Sequence, residues 1–149
     1  MKMSYKDKEI IKKNAHFILV KGFKSTENDY GIDYFSDEIK ISIYYEKYGT
    51  AGLIGIRFVK ENVFFDIGWI ALVRENIQLS SENPLENILI LLDFMKENFD
   101  CITNYNYCKE SDQLIDDYCV RLIESNPKYS EDGENIKKLI NHEKYKDLS

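Results

Sequence analysis

The middle of the chain, residues 30–73, contains several strand-like segments joined by very short connections. Isoleucines alternate with more polar residues over Ile39–Ile43, which is the period of a half-buried strand. Leu53–Lys60 and Val63–Val73 have strand patterns of their own, and Tyr30–Phe35 makes a weaker fourth. Parallel strands need long crossovers, so connections this short favour an antiparallel arrangement. We therefore predict a four-stranded antiparallel meander.

The segment Val63–Val73 is the most apolar of the four. Its alternation places one set of side chains on the same face, namely Val63, Phe65, Ile67, Trp69, Ala71 and Val73. We expect the Phe65, Ile67 and Trp69 region to pack against the first two helices. Two turns complete the meander, at Tyr48–Gly52 and at Glu61-Asn62.

Helical patterns flank this region on both sides. Tyr5–Val20 is amphipathic and stops before Gly22. A second helix begins at Asn83-Pro84, because asparagine suits an N-cap and proline the first helical position. A third spans Ser111–Glu124 and a fourth spans residues 134–145. In the third helix we expect five side chains to face inward: Leu114, Ile115, Tyr118, Cys119 and Leu122.

The order of these elements predicts the fold class. One helix, four strands and then a run of helices is typical of an α+β protein with helices packed on an antiparallel sheet. We predict a single domain over residues 1–149, with two to three C-terminal helices on the sheet.

The cysteines and the apolar runs indicate the cellular compartment in which we expect the protein. The three cysteines are odd in number and form no Cys-x-x-Cys pair, which favours free thiols that fill apolar space. The N-terminal stretch lacks the unbroken apolar core of a signal peptide, and the longest apolar run, Ile88–Leu92, is too short to span a bilayer. We expect a cytoplasmic protein without a membrane partner.

The negative charge is concentrated late in the chain. Residues 81–149 contain 8 basic and 15 acidic residues, a balance of −7 in a chain whose net charge is −6. Such a surface repels nucleic-acid phosphates and anionic membranes. We therefore expect no nucleic-acid partner and predict a basic protein partner.

Motifs for catalysis, cofactors and metals are not found in the sequence. His16 and His142 stand alone, outside any metal-ligand spacing. Gly49, Gly52 and Gly55 are three apart, but no helix N-terminus follows them to hold a phosphate. We predict no catalytic, cofactor-binding or metal site.

Two local features instead suggest an interaction surface. Asp112 and Asp116 are four apart on the third helix, and Asp117 follows them. Like charges at that spacing destabilise a helix slightly, so an acidic face of this kind can mark a docking surface for a cationic partner. Tyr105 and Tyr107 lie just before this helix, in a segment we interpret as a polar linker, and tyrosine is favoured at interfaces. A solvated face and rings folded over the core edge are the alternative interpretations.

The order of the segments resembles that of small acidic immunity proteins from bacterial toxin–immunity systems. The resemblance lies in a first helix that ends in Lys21-Gly22-Phe23, in the segment Asp33–Ile41 that leads into the meander, and in the helix start Asn83–Leu89. It covers most of the chain, but these motifs are structural and transfer no functional residue. It implies a cytoplasmic protein that neutralises a toxin, often a nuclease, by covering its active site or another essential surface.

Two alternatives belong to other functional classes. One is a small enzyme whose site is assembled from scattered acids and tyrosines; a cleft with several converging titratable groups would favour it. The other is a structural or oligomer-forming subunit, for which a large exposed apolar patch would be expected. As a binding module, the protein is predicted to be a monomer or a weak homodimer.

Overall fold

A five-stranded antiparallel sheet organises the structure, a computed structural model that describes residues 2–46, 52–79 and 82–125. Its strands follow one another in sequence order, so the predicted meander and the α+β class are confirmed. In chain order the elements are α1 (Tyr5–Asn14), α2 (His16–Val20), β1 (Lys24–Glu27), β2 (Gly31–Phe35), β3 (Ile39–Tyr45), β4 (Gly52–Phe58), β5 (Val63–Asp66), α3 (Ile67–Glu75), α4 (Pro84–Glu97), α5 (Phe99–Ile102) and α6 (Tyr105–Glu124).

The additional strand is β1, which forms one edge of the sheet. All four of its residues are exposed, and it pairs with β2 from Lys24 opposite Phe35 to Glu27 opposite Ile32. A polar edge strand has no apolar alternation, so the sequence pattern did not indicate it.

The predicted strand Val63–Val73 is wrong beyond residue 66. There the chain turns into α3, and the Asp66 side chain accepts a hydrogen bond from the Gly68 amide at 2.7 Å as the N-cap. Ile67, Ile70 and Ala71 are buried, at the i, i+3, i+4 spacing of a helix face. Trp69 is therefore a helical residue, and the main helical neighbours of α3 are α4 and α6 rather than the first helix.

The core lies on one face of the sheet. Cross-strand pairs such as Ile41 with Ile56 and Ile43 with Ile54 are fully or almost fully buried. Helix α4 packs on β4, and α1 packs on α4. The predicted packing of helices on the sheet is thus confirmed.

Several local predictions are also confirmed. Ile11, Ala15 and Ile18 are buried as the first helical stripe, although this helix is interrupted at Ala15. The Asn83 side chain caps α4 by accepting from the Leu85 amide at 3.0 Å. Chain reversal between β4 and β5 includes Asn62, whose φ is 55°. The predicted fourth helix, residues 134–145, and most of the predicted turn Tyr48–Gly52 lie outside the described residues.

The cysteines of the described segments are free thiols, with Cys108 and Cys119 buried and Cys101 exposed. None of the helices in these segments is both long enough and apolar enough to cross a membrane.

Candidate functional site

Helix α6 contains all five residues predicted to form an interaction surface. It begins at Tyr105, six residues before the predicted start, and the Asn104 side chain caps it by accepting from the Tyr107 amide at 3.2 Å. Tyr105 and Tyr107 therefore belong to the first turn of a helix, and the predicted polar linker is wrong. Asparagine at the N-cap position was the available sequence signal.

Tyr105 packs at the end of the sheet core. Its ring stands roughly perpendicular to the rings of Phe58 and Phe65, with centroid distances of 5.6 and 6.2 Å. Edge-to-face contacts of this kind add to the energy of area burial. Tyr105 therefore holds the start of α6 against β4 and β5.

Tyr107 joins α6 to α3 through Arg74. The guanidinium carbon lies 4.2 Å from the centre of the Tyr107 ring, and Nη2 donates to the Tyr107 carbonyl at 3.2 Å. Arg74 Nε also donates to Ser111 Oγ at 2.9 Å, and Ser111 Oγ donates to the Tyr107 carbonyl at 2.7 Å. Burial raises the pKa of the Tyr107 hydroxyl, and the nearby Arg74 charge opposes that rise.

The three aspartates do not share one face. Asp112 and Asp116 are half-buried and lie seven and eleven residues after Tyr105, on the same side of α6. Asp117 is exposed, lies about 100° further round the helix, and accepts a hydrogen bond from Gln113 Nε2 at 3.2 Å. Asp117 therefore belongs with the side that faces α3, where Tyr107 also lies.

Two leucines predicted to face the core are exposed. Leu114 is 38% exposed and Leu122 is 46% exposed, whereas the buried residues of α6 are Cys108, Ser111, Ile115, Cys119 and Ile123. The half-buried Tyr118 lies between the two leucines at a spacing of four. Leu114, Tyr118 and Leu122 form the leucine row of α6, an apolar strip that the sequence analysis assigned to the core.

A groove separates the leucine row from α3. It encloses about 540 Å³, and we call it the α3–α6 groove. Its lining residues are Leu72, Val73, Arg74, Glu75 and Asn76 from α3 and its C-cap, and Leu114, Asp117, Tyr118 and Arg121 from α6. The lining mixes apolar side chains with charges of both signs, a combination found at many protein interfaces.

A second depression, the Trp69 cleft, adjoins this groove and shares Leu72 and Tyr118 with it. It encloses about 380 Å³ and lies between α3, the following chain segment, α4 and the start of β4. The Trp69 and Tyr118 rings meet at 68° with centroids 6.0 Å apart. Its lining residues are Leu53, Asp66, Gly68, Trp69, Leu72, Ile77, Gln78, Leu79, Leu91 and Tyr118.

Apart from Tyr107, the titratable groups with shifted pKa values lie away from the groove and the cleft. Burial raises the pKa of the Cys108 thiol to about 12, and burial together with a hydrogen bond to Asp7 raises that of Tyr45. Hydrogen bonds between Lys12 and Glu27 raise the lysine pKa and lower that of the carboxyl. Neither depression is lined by any of these groups, and no cluster of three metal-ligating side chains occurs in the described part of the chain.

The chain matches no protein-family model, and comparisons with curated proteins and with solved structures give no match.

Proposed function

We propose that the protein is a cytoplasmic protein-binding module, an immunity protein that neutralises a cognate toxin by direct binding. The proposed binding surface consists of α6 and the α3–α6 groove. The observation that carries this proposal is the exposed leucine row of α6, part of which lines the α3–α6 groove together with Asp117.

The apolar part of this surface supplies binding energy. Burial of Leu114 and Leu122 against a partner is favourable by about 25 cal/mol for each Å² of apolar surface removed from water. Tyr118 adds a ring with a polar tip, which suits the centre of an interface.

The charged part of the surface selects the partner. Helix α6 contains five acidic residues, Glu110, Asp112, Asp116, Asp117 and Glu124, against Lys109 and Arg121, a balance of −3. Such a helix attracts a basic protein surface and speeds its association. The nucleic-acid groove of a nuclease is basic because it binds phosphates, so a nuclease toxin fits the proposed partner. In this proposal Tyr105 and Tyr107 lie at the edge of the contact.

The test uses a toxin encoded beside the gene for this protein, purified in an inactive form. We expect the double variant Asp112→Asn/Asp116→Asn to slow association several-fold at low salt and to flatten its salt dependence. Leu114→Ala/Leu122→Ala should mainly speed dissociation, because apolar contacts form after the encounter. Stopped-flow association and surface-immobilised dissociation measurements provide the two rates.

A matched control separates a specific face from net charge. Asp29→Asn/Asp93→Asn makes the same change of charge at exposed positions outside α3 and α6, and its rates should equal those of the wild type. Equal rates for both aspartate pairs would remove Asp112 and Asp116 from the binding surface. Wild-type protein that leaves the toxin active would reject the immunity function. A dimer whose formation depends on Leu114 and Leu122 would favour the oligomer-forming alternative.

A further inference from the structure

A third depression lies between the first two helices and the first two strands, and the proposed toxin contact does not use it. We call it the Tyr34 pocket, because Tyr34 of β2 is the most buried of its lining residues. Ser25 of β1 lies directly opposite Tyr34 in the antiparallel register, so both side chains are on the same face of the sheet. Lys13 and His16 line the pocket from the helical side. The enclosed volume of about 490 Å³ lies in the range of small-ligand sites.

The Tyr34 hydroxyl is a buried polar group at this site. Tyr34 is 1% exposed, and its hydroxyl forms no hydrogen bond with another residue of the described segments. Burial raises the pKa of this hydroxyl, the positive charge of Lys12 opposes the rise, and the negative charge of Glu27 adds to it. The hydroxyl end of the ring therefore lies toward the charged side chains of α1 and β1. Buried hydroxyls in proteins normally have a hydrogen-bond partner, and an acceptor bound in the pocket would provide one.

The lysines of α1 differ in how far their charge is compensated. The Lys12 ammonium lies 3.2 Å from Glu9 Oε1 and 2.6 Å from Glu27 Oε2, so its charge is balanced locally. Lys13 is exposed and forms no ion pair with any residue that the structure describes. The positive charge available to a ligand in the pocket is therefore that of Lys13. It belongs to the basic part of the chain, since residues 1–30 contain 7 lysines and 4 acidic residues, a balance of +3.

We propose that the Tyr34 pocket binds a small molecule that carries an oxyanion, either a phosphate monoester or a carboxylate. In this arrangement the Tyr34 hydroxyl donates to one oxygen of the anion, and the Lys13 ammonium supplies the opposite charge. Ser25 and His16 are the further donors of the pocket. A cationic ligand would be repelled by Lys13, and a neutral ligand would gain nothing from its charge. This inference is independent of the proposed function, because α3 and α6 contribute no described residue to the pocket.

The experiment follows the backbone amide resonances of the ¹⁵N-labelled full-length protein, because their shifts locate a weakly bound ligand. Phenyl phosphate is the first probe, and benzyl alcohol, which keeps the ring but has no charge, is its control. At constant ionic strength, phenyl phosphate should shift the amides of Ser25 and Tyr34 saturably. Benzyl alcohol should bind about tenfold more weakly, because it lacks the charge-assisted hydrogen bonds. Equal binding of the two compounds, or no saturable shift with any oxyanion tested, overturns the proposal.

A further probe distinguishes the two kinds of oxyanion. Phenylacetate presents a carboxylate on the same ring as phenyl phosphate. Tighter binding of phenyl phosphate assigns the pocket to phosphate monoesters, and tighter binding of phenylacetate assigns it to carboxylates. Both results support an oxyanion site.

Tyr34→Phe removes the hydroxyl and keeps the ring. We expect about tenfold weaker binding of the preferred oxyanion, measured by calorimetry. The melting temperature should equal or exceed that of the wild type, because the hydroxyl has no protein partner to lose. Unchanged affinity in this variant, with or without a lower melting temperature, would assign the hydroxyl to the structure alone and overturn the proposal.

Lys13→Gln tests the charge, and Lys96→Gln is its matched control at an exposed position of α4. We expect Lys13→Gln to weaken binding several-fold and Lys96→Gln to leave it unchanged. Equal affinities in the two lysine variants would mean that the anion responds only to net charge, and would also overturn the proposal. Loss of toxin binding in the α6 variants would leave all these results unchanged.

Discussion

Arg74 shows how one side chain fixes the relation between two helices. Ser111 lies on the inward side of α6 and is fully buried, which is costly for a hydroxyl without partners. Its hydroxyl donates to the Tyr107 carbonyl and accepts from Arg74, so it is satisfied both as a donor and as an acceptor. The guanidinium carbon also lies over the Tyr107 ring. This combination needs a planar cation with several donors, which arginine provides and lysine does not.

Replacement of Arg74 by lysine tests that requirement. We expect Arg74→Lys to lower the free energy of unfolding by about 1–2 kcal/mol, because the contact with the ring and at least one hydrogen bond are lost. Arg121→Lys is the control, since Arg121 is an exposed arginine of α6, and it should change stability by less than about 0.5 kcal/mol. Urea unfolding followed by circular dichroism measures both. A change in Arg74→Lys as small as in Arg121→Lys would show that the contact does not hold α3 to α6.

At the scale of elements, the sequence correctly predicted those helices and strands whose ends are determined by local sequence signals. Asn83 and Pro84 define the start of α4 by their own chemistry, and the structure places the helix there. The segment after Val63 fits both a strand alternation and a helix face, so its state depends on tertiary partners. Pairing with β4 ends with Asp66 opposite Gly55, and the cap at Asp66 then begins α3. The sequence pattern of this segment alone does not decide between a strand and a helix.

The candidate site was only partly predicted, and the reason is the same. Helix α6 was recognised by its apolar spacing, but its apolar residues form a stripe wider than the buried face. Which edge of the stripe is buried depends on where α3 lies, and α3 was interpreted as a strand. Leu114 and Leu122 were therefore assigned to the core, and the leucine row was missed.

Two neighbouring substitutions test the orientation of α6. Ile115→Ala should lower the free energy of unfolding by about 2–4 kcal/mol, because it leaves a cavity in a buried region. Leu114→Ala should change it by less than about 1 kcal/mol, because that side chain is already partly in water. Chemical denaturation of the two variants gives the comparison. The opposite ranking would return Leu114 to the core and remove the leucine row from the proposed interface.

At the scale of the whole molecule, several acidic protons are held more tightly by the folded chain. Burial raises the pKa of Cys108 from an ordinary 9.0 to about 12. Burial also raises the pKa values of Tyr34 and Tyr45 above an ordinary 10.0, with the hydrogen bond from Tyr45 to Asp7 adding to the second. These groups lie in different parts of the core, so their linkage to folding is a property of the entire domain.

The folded protein should therefore lose stability in alkali. Above pH 9 the unfolded chain releases the Cys108 proton while the folded chain keeps it, so the unfolded state binds fewer protons and the free energy of unfolding falls. Above pH 10 the tyrosines extend the fall in the same direction. We expect urea midpoints, measured under reducing conditions, to be level near pH 8 and to decline from pH 9 to pH 11. Cys108→Ala should flatten the decline between pH 9 and pH 10, whereas Cys101→Ala, which removes an exposed thiol, should not. A decline of the same slope in both variants would mean that the Cys108 proton is not linked to folding.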